Sequence, residues 1–275
     1  MQAFTDLTAT GQVRRLRRLA KAALTKFGID YKKFSLIQHG ENATFRVDTL
    51  SNAGSHADAA FVEGRYVLRI HRPAYHSKQQ LQSELLWLAA LQRDTDLVIP
   101  EPMASTAGNY LVDATAPGIP GPRFCSLLRW IRGRFSGSKY KPHHFRAAGK
   151  LMACLHRHSV GWQQPAEFSR RHWDEEGLFG DQSGYHLPAR QVWQLLPHGY
   201  ASTFKTIAEK AISVMQQMGK DSGVFGLIHG DLHMGNLLFS GGQARAIDFD
   251  DCGFGYWIYD FAVALCEYRD KPDWI

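Results

Sequence analysis

The sequence predicts an α+β chain of two lobes: a small, mostly-β N-terminal lobe over residues 1–129 and a mostly-α C-terminal lobe over residues 130–275. Three observations carry this. Short strand-like runs crowd the first half. Two long helical periodicities dominate the stretch after Gly133. The length, 275 residues, suits one large domain or two modest ones at about 100–200 residues each.

The elements follow in order. Val13, Leu16, Ala20, Leu24 and Phe27 recur at three- and four-residue spacing, which makes residues 13–27 an amphipathic helix. Arg14, Arg15, Arg17, Arg18 and Lys21 lie mostly off that stripe. This Arg-rich, acid-poor stretch also fits a nucleic-acid patch or a mitochondrial presequence, but a helix with a solvated basic face is the simplest reading. Strand-like runs at 34–38 and 44–49 flank His39-Gly40-Glu41-Asn42, and a third covers 61–71. The small, polar stretch 51–60 reads as a loop. Residues 77–91 form a helix with Leu81, Leu85, Leu88 and Leu91 in register. Strands at 110–112 and 123–130 are separated by the Pro/Gly-rich stretch 117–122. Beyond them, 145–158 and 201–218 are long helices, and the aromatic-rich stretch 161–199 between them is irregular. Apolar runs at 224–228, 237–239 and 244–247 are punctuated by Gly, and 256–268 closes as a helix.

Composition excludes several classes. With 44% hydrophobic and 21% charged residues, the chain is neither globally disordered nor collagen-like. It has no run of 18 uncharged apolar residues, so no membrane span is expected. The N-terminus lacks an apolar signal core, so no secretory signal is expected. Cys125, Cys154, Cys252 and Cys266 are scattered with no CxxC pair. That argues against a zinc ribbon or a disulfide framework and fits a reducing, cytoplasmic compartment. From residue 231 onward eight acids face three bases, a net of −5, so residues 1–230 carry +11 of the overall +6. A basic body attracts phosphates and an acidic cluster holds cations; a solvated surface of mixed sign is equally consistent.

The densest polar constellation is Ile228-His229-Gly230-Asp231-Leu232-His233-Met234-Gly235-Asn236-Leu237-Leu238, a polar loop bracketed by apolar residues. Asp231 and Asn236 are five apart, a spacing at which a loop aims both side chains at one point. Twelve residues after Asn236, Ile247-Asp248-Phe249-Asp250 sets an acid directly after an apolar strand. Hard oxygen donors of this type suit Mg²⁺. An Asp to accept a hydroxyl proton, an Asn on metal and a following metal Asp form the set used in phosphoryl transfer.

His-Gly-Asp-x-His-x-x-Asn followed by Ile-Asp-Phe resembles the aminoglycoside phosphotransferase/choline kinase family, which has a two-lobed protein-kinase-like fold. Relative to the kinase elements H-R-D-x-x-x-x-N and D-F-G, Gly230 stands in place of Arg and Asp250 in place of Gly. The resemblance spans roughly residues 36–268 and is densest over 228–262. It implies a nucleotide-binding sheet in the N-terminal lobe and a catalytic loop with the acceptor side in the C-terminal lobe. Asp231 becomes the catalytic residue, and Asn236 and Asp248 the metal ligands. In Tyr66-Val67-Leu68-Arg69-Ile70, period-two alternation puts Val67 and Arg69 on one face. This is similar to the kinase V-A-I-K strand, with Val67 against the adenine and Arg69 in the place of Lys. Arg is a planar fork and not a point charge, so its phosphate geometry differs. Glu84 sits in the helix where the family's ion-pair partner lies. The segment 40–47 looks like the family's nucleotide hairpin, opening at Gly40, with backbone N–H groups of Asn42, Ala43 and Thr44 as phosphate donors. Trp130 and Ile131 lie where the family's hinge binds adenine; Trp130 as plain core is an equal reading. Asp260 resembles the family's buttress under the catalytic loop, and His229 braces that loop.

The resemblance implies an ATP-dependent (or GTP-dependent) phosphotransferase that uses Mg²⁺ and a small-molecule hydroxyl acceptor. The −5 of the tail points to an acceptor of amino alcohol or aminoglycoside type; with Asp231, Asp248 and Asp260 otherwise assigned, and Asp270 and Asp273 near the terminus, Asp251 and Glu267 are the acids expected to face its amine. A Ser/Thr protein kinase and a catalytically silent nucleotide-binding regulator are the rivals on this fold. No nucleic-acid motif is recognisable, so nucleic acid is not an expected partner. Nothing in the sequence sets an oligomeric state. In the family, helices after the metal Asp finish the acceptor pocket. The chain ends one helix past Asp248, which leaves open a truncated C-terminal lobe.

Overall fold

The computed structural model describes residues 3–50, 60–137, 140–181, 188–197 and 199–268. Positions 51–59 of the expected 51–60 loop lie outside them. The chain divides into two compact units, Met1–Arg132 and Gly133–Ile275.

The first unit opens with helix α1, Ala9–Lys26. It starts earlier than its apolar stripe suggests, because the Thr8 side chain caps it by accepting the Gly11 N–H at 3.2 Å. Strands β1 (Tyr31–His39), β2 (Ala43–Thr49) and β3 (Phe61–Ile70) follow, then helix α2 (Lys78–Asp94) and strands β4 (Leu111–Ala114) and β5 (Arg123–Ile131). The five strands form one antiparallel sheet in the order β1-β2-β3-β5-β4. One sheet face packs on α1: Leu19, Ala23 and Leu24 bury against Phe45, Val47, Leu68, Ile70 and Leu127. The alternation that sends Leu68 and Ile70 to this core sends Val67 and Arg69 to the other face. A capping box fixes the start of α2. Ser77 Oγ accepts the Gln80 N–H at 3.1 Å and Gln80 Oε1 accepts the Ser77 N–H at 2.9 Å.

The second unit is built on helix α3 (Pro142–Gly161). The stretch read as irregular contains strand β6 (His172–Trp173) and helices α4 (Glu175–Phe179) and α5 (Ala189–Leu195). Helix α6 (Ala201–Met218) leads to strands β7 (Phe225–Ile228), β8 (Leu237–Ser240), β9 (Gln243–Ala246) and β10 (Gly253–Tyr256), and helix α7 (Trp257–Leu265) is the last α-helix among the described residues. Thus Tyr256, expected in the last helix, closes a strand instead. β10 pairs antiparallel with β7 and parallel with β6. β8 and β9 form a hairpin whose two-residue turn, Gly241-Gly242, has φ of 58° and 78°. Two consecutive positive φ values give the hairpin turn that matches strand twist, and glycine takes them without steric cost.

Candidate active site

In the first unit, two regular elements bring two charges together. Arg69, on β3, donates from Nη1 to Glu84 Oε1, on α2, at 2.7 Å. Glu84 is fully buried and Arg69 is 6% exposed. Buried charges persist only when paired, so each residue requires the other. The same ladder sets Thr44 opposite Arg69 and Arg46 opposite Val67. Gly40 lies in the turn between β1 and β2, and Asn42 fixes that turn by accepting the Arg72 N–H on Oδ1 at 3.0 Å. The Ala43 side chain is buried in the α1 core, which leaves its backbone as its only polar offering. Trp130 and Ile131 complete β5 within this unit. Ile131 is buried, while Trp130 is half-buried with the Arg65 guanidinium 5.6 Å from its ring centroid.

In the second unit, the loop between β7 and β8 carries Asp231 and Asn236. Its backbone is held from below by Asp260 on α7, which is fully buried. Asp260 accepts the N–H groups of His229 at 3.1 Å and Gly230 at 2.8 Å. His156 Nε2 lies 2.9 Å from the same carboxylate, and its ring stacks on Trp257. Gly230 has φ 82°, and a Cβ there would run into the Asp251 carbonyl oxygen. The Arg of the kinase pattern cannot occupy this position for that reason.

His229 is fully buried beneath the loop. Its Nδ1 accepts the Asp231 N–H at 3.3 Å, so Nε2 carries the proton and donates to the Ile247 carbonyl at 3.1 Å. Burial pushes its pKa below the usual histidine range, against the opposing carboxylates of Asp260, Asp231 and Asp248. A neutral ring making two backbone bonds is a brace for the loop.

Asn236 Nδ2 donates to both the backbone carbonyl and Oδ2 of Asp231, each at 2.9 Å. Both partners are acceptors, so the amide nitrogen must face Asp231 and Oδ1 is left for another ligand. His233 Nε2 stands 3.7 Å from the same Oδ2. Burial raises the Asp231 carboxyl above the usual carboxylate range. The carboxylates of Asp251 and Asp248 add to the rise, and His233 and His229 oppose it.

Asn236 and Asp248 flank the open end of the β8–β9 hairpin, where the Ile247 N–H donates to the Asn236 carbonyl at 3.0 Å. Asp248 is exposed, with φ 63° and ψ 66°. This left-handed conformation costs a non-glycine residue roughly 1–2 kcal/mol. The turn after it is clamped from a distance. Arg170 Nε donates to the Cys252 carbonyl at 2.6 Å and Nη2 to the Asp250 carbonyl. Trp173 Nε1 donates to the Asp251 carbonyl at 2.8 Å. Arg171 Nη1 lies 3.6 Å from Asp251 Oδ1. The sequence reading missed these three residues. Their only signal is an Arg-Arg pair beside Trp173 in an aromatic-rich stretch, which reads as well as a solvated turn.

Asp251, expected to face an acceptor amine, therefore spends its carboxylate at least in part on Arg171. Glu267 Oε1 lies 4.0 Å from His233 Nδ1.

Among the described residues no group of three His, Cys, Asp or Glu side chains is placed to hold a metal ion. Two hard oxygens, Asn236 Oδ1 and the exposed Asp248 carboxylate, are of the type that could hold Mg²⁺. That ion commonly takes one or two protein ligands and completes its sphere with water and phosphate.

The chain as a whole is similar to known proteins. Residues 42–274 match the phosphotransferase enzyme family (APH), and the chain belongs to that family. It is 24% identical over 203 residues to amicoumacin kinase of Bacillus subtilis (strain 168), covering 73% of this chain and 56% of that protein. Among solved structures, the microcompartment-associated aminopropanol kinase is 29% identical with a TM-score of 0.75, over 93% of this chain and 76% of that one. The amicoumacin kinase hAmiN, in complex with AMP-PNP, Ca²⁺ and Ami, shares the fold at 20% identity and a TM-score of 0.69, over 95% of this chain and 73% of that one. The chain spans about half the length of the curated relatives it matches. No helix among the described residues is long and apolar enough to cross a membrane.

Proposed function

We propose that the protein transfers the γ-phosphoryl group of ATP, or of GTP, to a hydroxyl of a small molecule in the cytoplasm, with amino alcohols or aminoglycoside-like compounds as acceptors. The observation that carries this reading is Asp231: a carboxylate oriented by Asn236, on a loop braced by His229 and Asp260. The acceptor oxygen attacks the γ-phosphorus, the bond to the β–γ bridging oxygen breaks, and Asp231 receives the hydroxyl proton. Arg69, fixed by Glu84, neutralises phosphate oxygens. The backbone at Asn42, Ala43 and Thr44 contributes N–H donors on the turn that holds Gly40, and Val67, Trp130 and Ile131 contact the base. Asn236 and Asp248 would hold Mg²⁺, which when bound offsets the charge of the phosphates. Positioning and charge neutralisation supply the rate, because this reaction asks little covalent chemistry of the protein. The acceptor class is supported by the net −5 of residues 231–275 and by the names of the two relatives, an aminopropanol kinase and an amicoumacin kinase.

The test is Asp231→Asn. Loss of a general base costs typically 10²–10⁴-fold in rate, so acceptor-dependent nucleotide turnover should fall by that much. Nucleotide affinity should stay within about threefold. Turnover within tenfold of the parent protein would refute the assignment.

A further inference from the structure

We propose that Arg170, Arg171 and Trp173 are positioning residues that pre-set the loop carrying Asp248 for metal binding. The inference rests on the assignment of Asp248 as a metal ligand. Three successive backbone carbonyls, those of Asp250, Asp251 and Cys252, are each met by a side-chain donor from this one upstream segment. The single turn 249–251 ends with carbonyls that have no partner within it, and a helical end of that kind must find its acceptors' partners elsewhere. The segment is itself immobilised. Arg170 is 4% exposed and Arg171 8%. The Arg171 carbonyl accepts the Phe254 N–H at 2.9 Å, and Trp173 stacks on Tyr259. A Cβ on Gly253 would strike the Arg171 carbonyl, so the two backbone segments pack in close contact.

The purpose of the clamp follows from its neighbour. Asp248 holds a left-handed conformation directly before the clamped turn. Such conformations persist only where the surroundings over-determine them, and they cluster where a side chain must be pre-aimed. On one side Asp248 is fixed through the Ile247–Asn236 backbone bond, and on the other through Phe249, which is fully buried against the His229 ring. The clamp then holds the turn that follows. Without it, the loop relaxes and Asp248 must be re-aimed at each binding event, which weakens metal affinity and leaves nucleotide recognition alone.

Arg170→Lys keeps the charge and loses the planar fork that bridges two carbonyls. Trp173→Phe keeps the ring and loses one N–H. Both are made in the full chain. Mn²⁺ binding is followed by electron paramagnetic resonance with a non-hydrolysable ATP analogue present, and amide hydrogen exchange is read over 249–254. Arg170→Lys should weaken Mn²⁺ binding about tenfold and Trp173→Phe about threefold. Exchange over 249–254 should quicken while exchange in β1–β5 and metal-free nucleotide affinity stay unchanged. Mn²⁺ affinity within twofold of the parent in both variants overturns the proposal, whatever the exchange shows. If Arg170→Lys does not fold, Trp173→Phe decides alone. Asp248→Ala runs alongside. If it too retains Mn²⁺ binding, the metal assignment falls and the proposal with it. If it loses binding while the clamp variants do not, only the proposal falls.

Discussion

The two units hold their charged side chains by opposite means. In the first, Arg69 near the end of a strand and Glu84 within a helix meet as a buried ion pair. In the second, Asp231, Asn236 and Asp248 sit on short connections and one strained backbone position. Their geometry comes from groups that are remote in sequence: Asp260 and His156 beneath one loop, Arg170 and Trp173 behind the other. Regular elements place a side chain by their own hydrogen-bond ladders. Loops have no ladder, so each backbone N–H and C=O needs an outside partner.

The contrast predicts different failures. In the first unit, damage should appear as lost stability. Glu84→Ala strands the Arg69 guanidinium in a buried site, and breaking a buried pair on one side costs about 3–5 kcal/mol. Urea unfolding monitored by exchange of the β1–β5 amides should show a loss of that size. A loss below about 1 kcal/mol would mean that the pair is not mutually required. Arg69→Lys is the gentler probe, since it keeps the charge for Glu84 and forfeits the fork. Nucleotide affinity should fall about tenfold, with adenosine affinity unchanged. An equal loss for both ligands would place Arg69 away from the phosphates and sharpen the comparison by making it a purely structural residue.

The same contrast explains what was legible in the sequence. Period-two alternation located β3 and put Val67 and Arg69 on one face; heptad-like leucines located α2, and with them Glu84. The loop residues were legible only as a motif, because Asp231 and Asn236 have no periodicity. Their supports were partly legible: Asp260 through the same motif, His229 as a brace. Arg170 and Arg171 were not, since an Arg pair in an irregular stretch carries no sign of burial and its partners lie about 80 positions away. β10 was missed for a local reason. Two of its four residues are glycine, which weakens a strand signal already short, and it forms where β6 and β7 flank it.

Phosphoryl transfer to a small-molecule hydroxyl underlies every role proposed for these residues. The most direct measurement is ³¹P nuclear magnetic resonance of the protein with ATP, Mg²⁺ and a panel of alcohols. A phosphomonoester signal should grow in step with ADP, strongest for amino alcohols and absent in Asp231→Asn. ADP accumulating with inorganic phosphate alone, with no phosphomonoester across the panel, would contradict it.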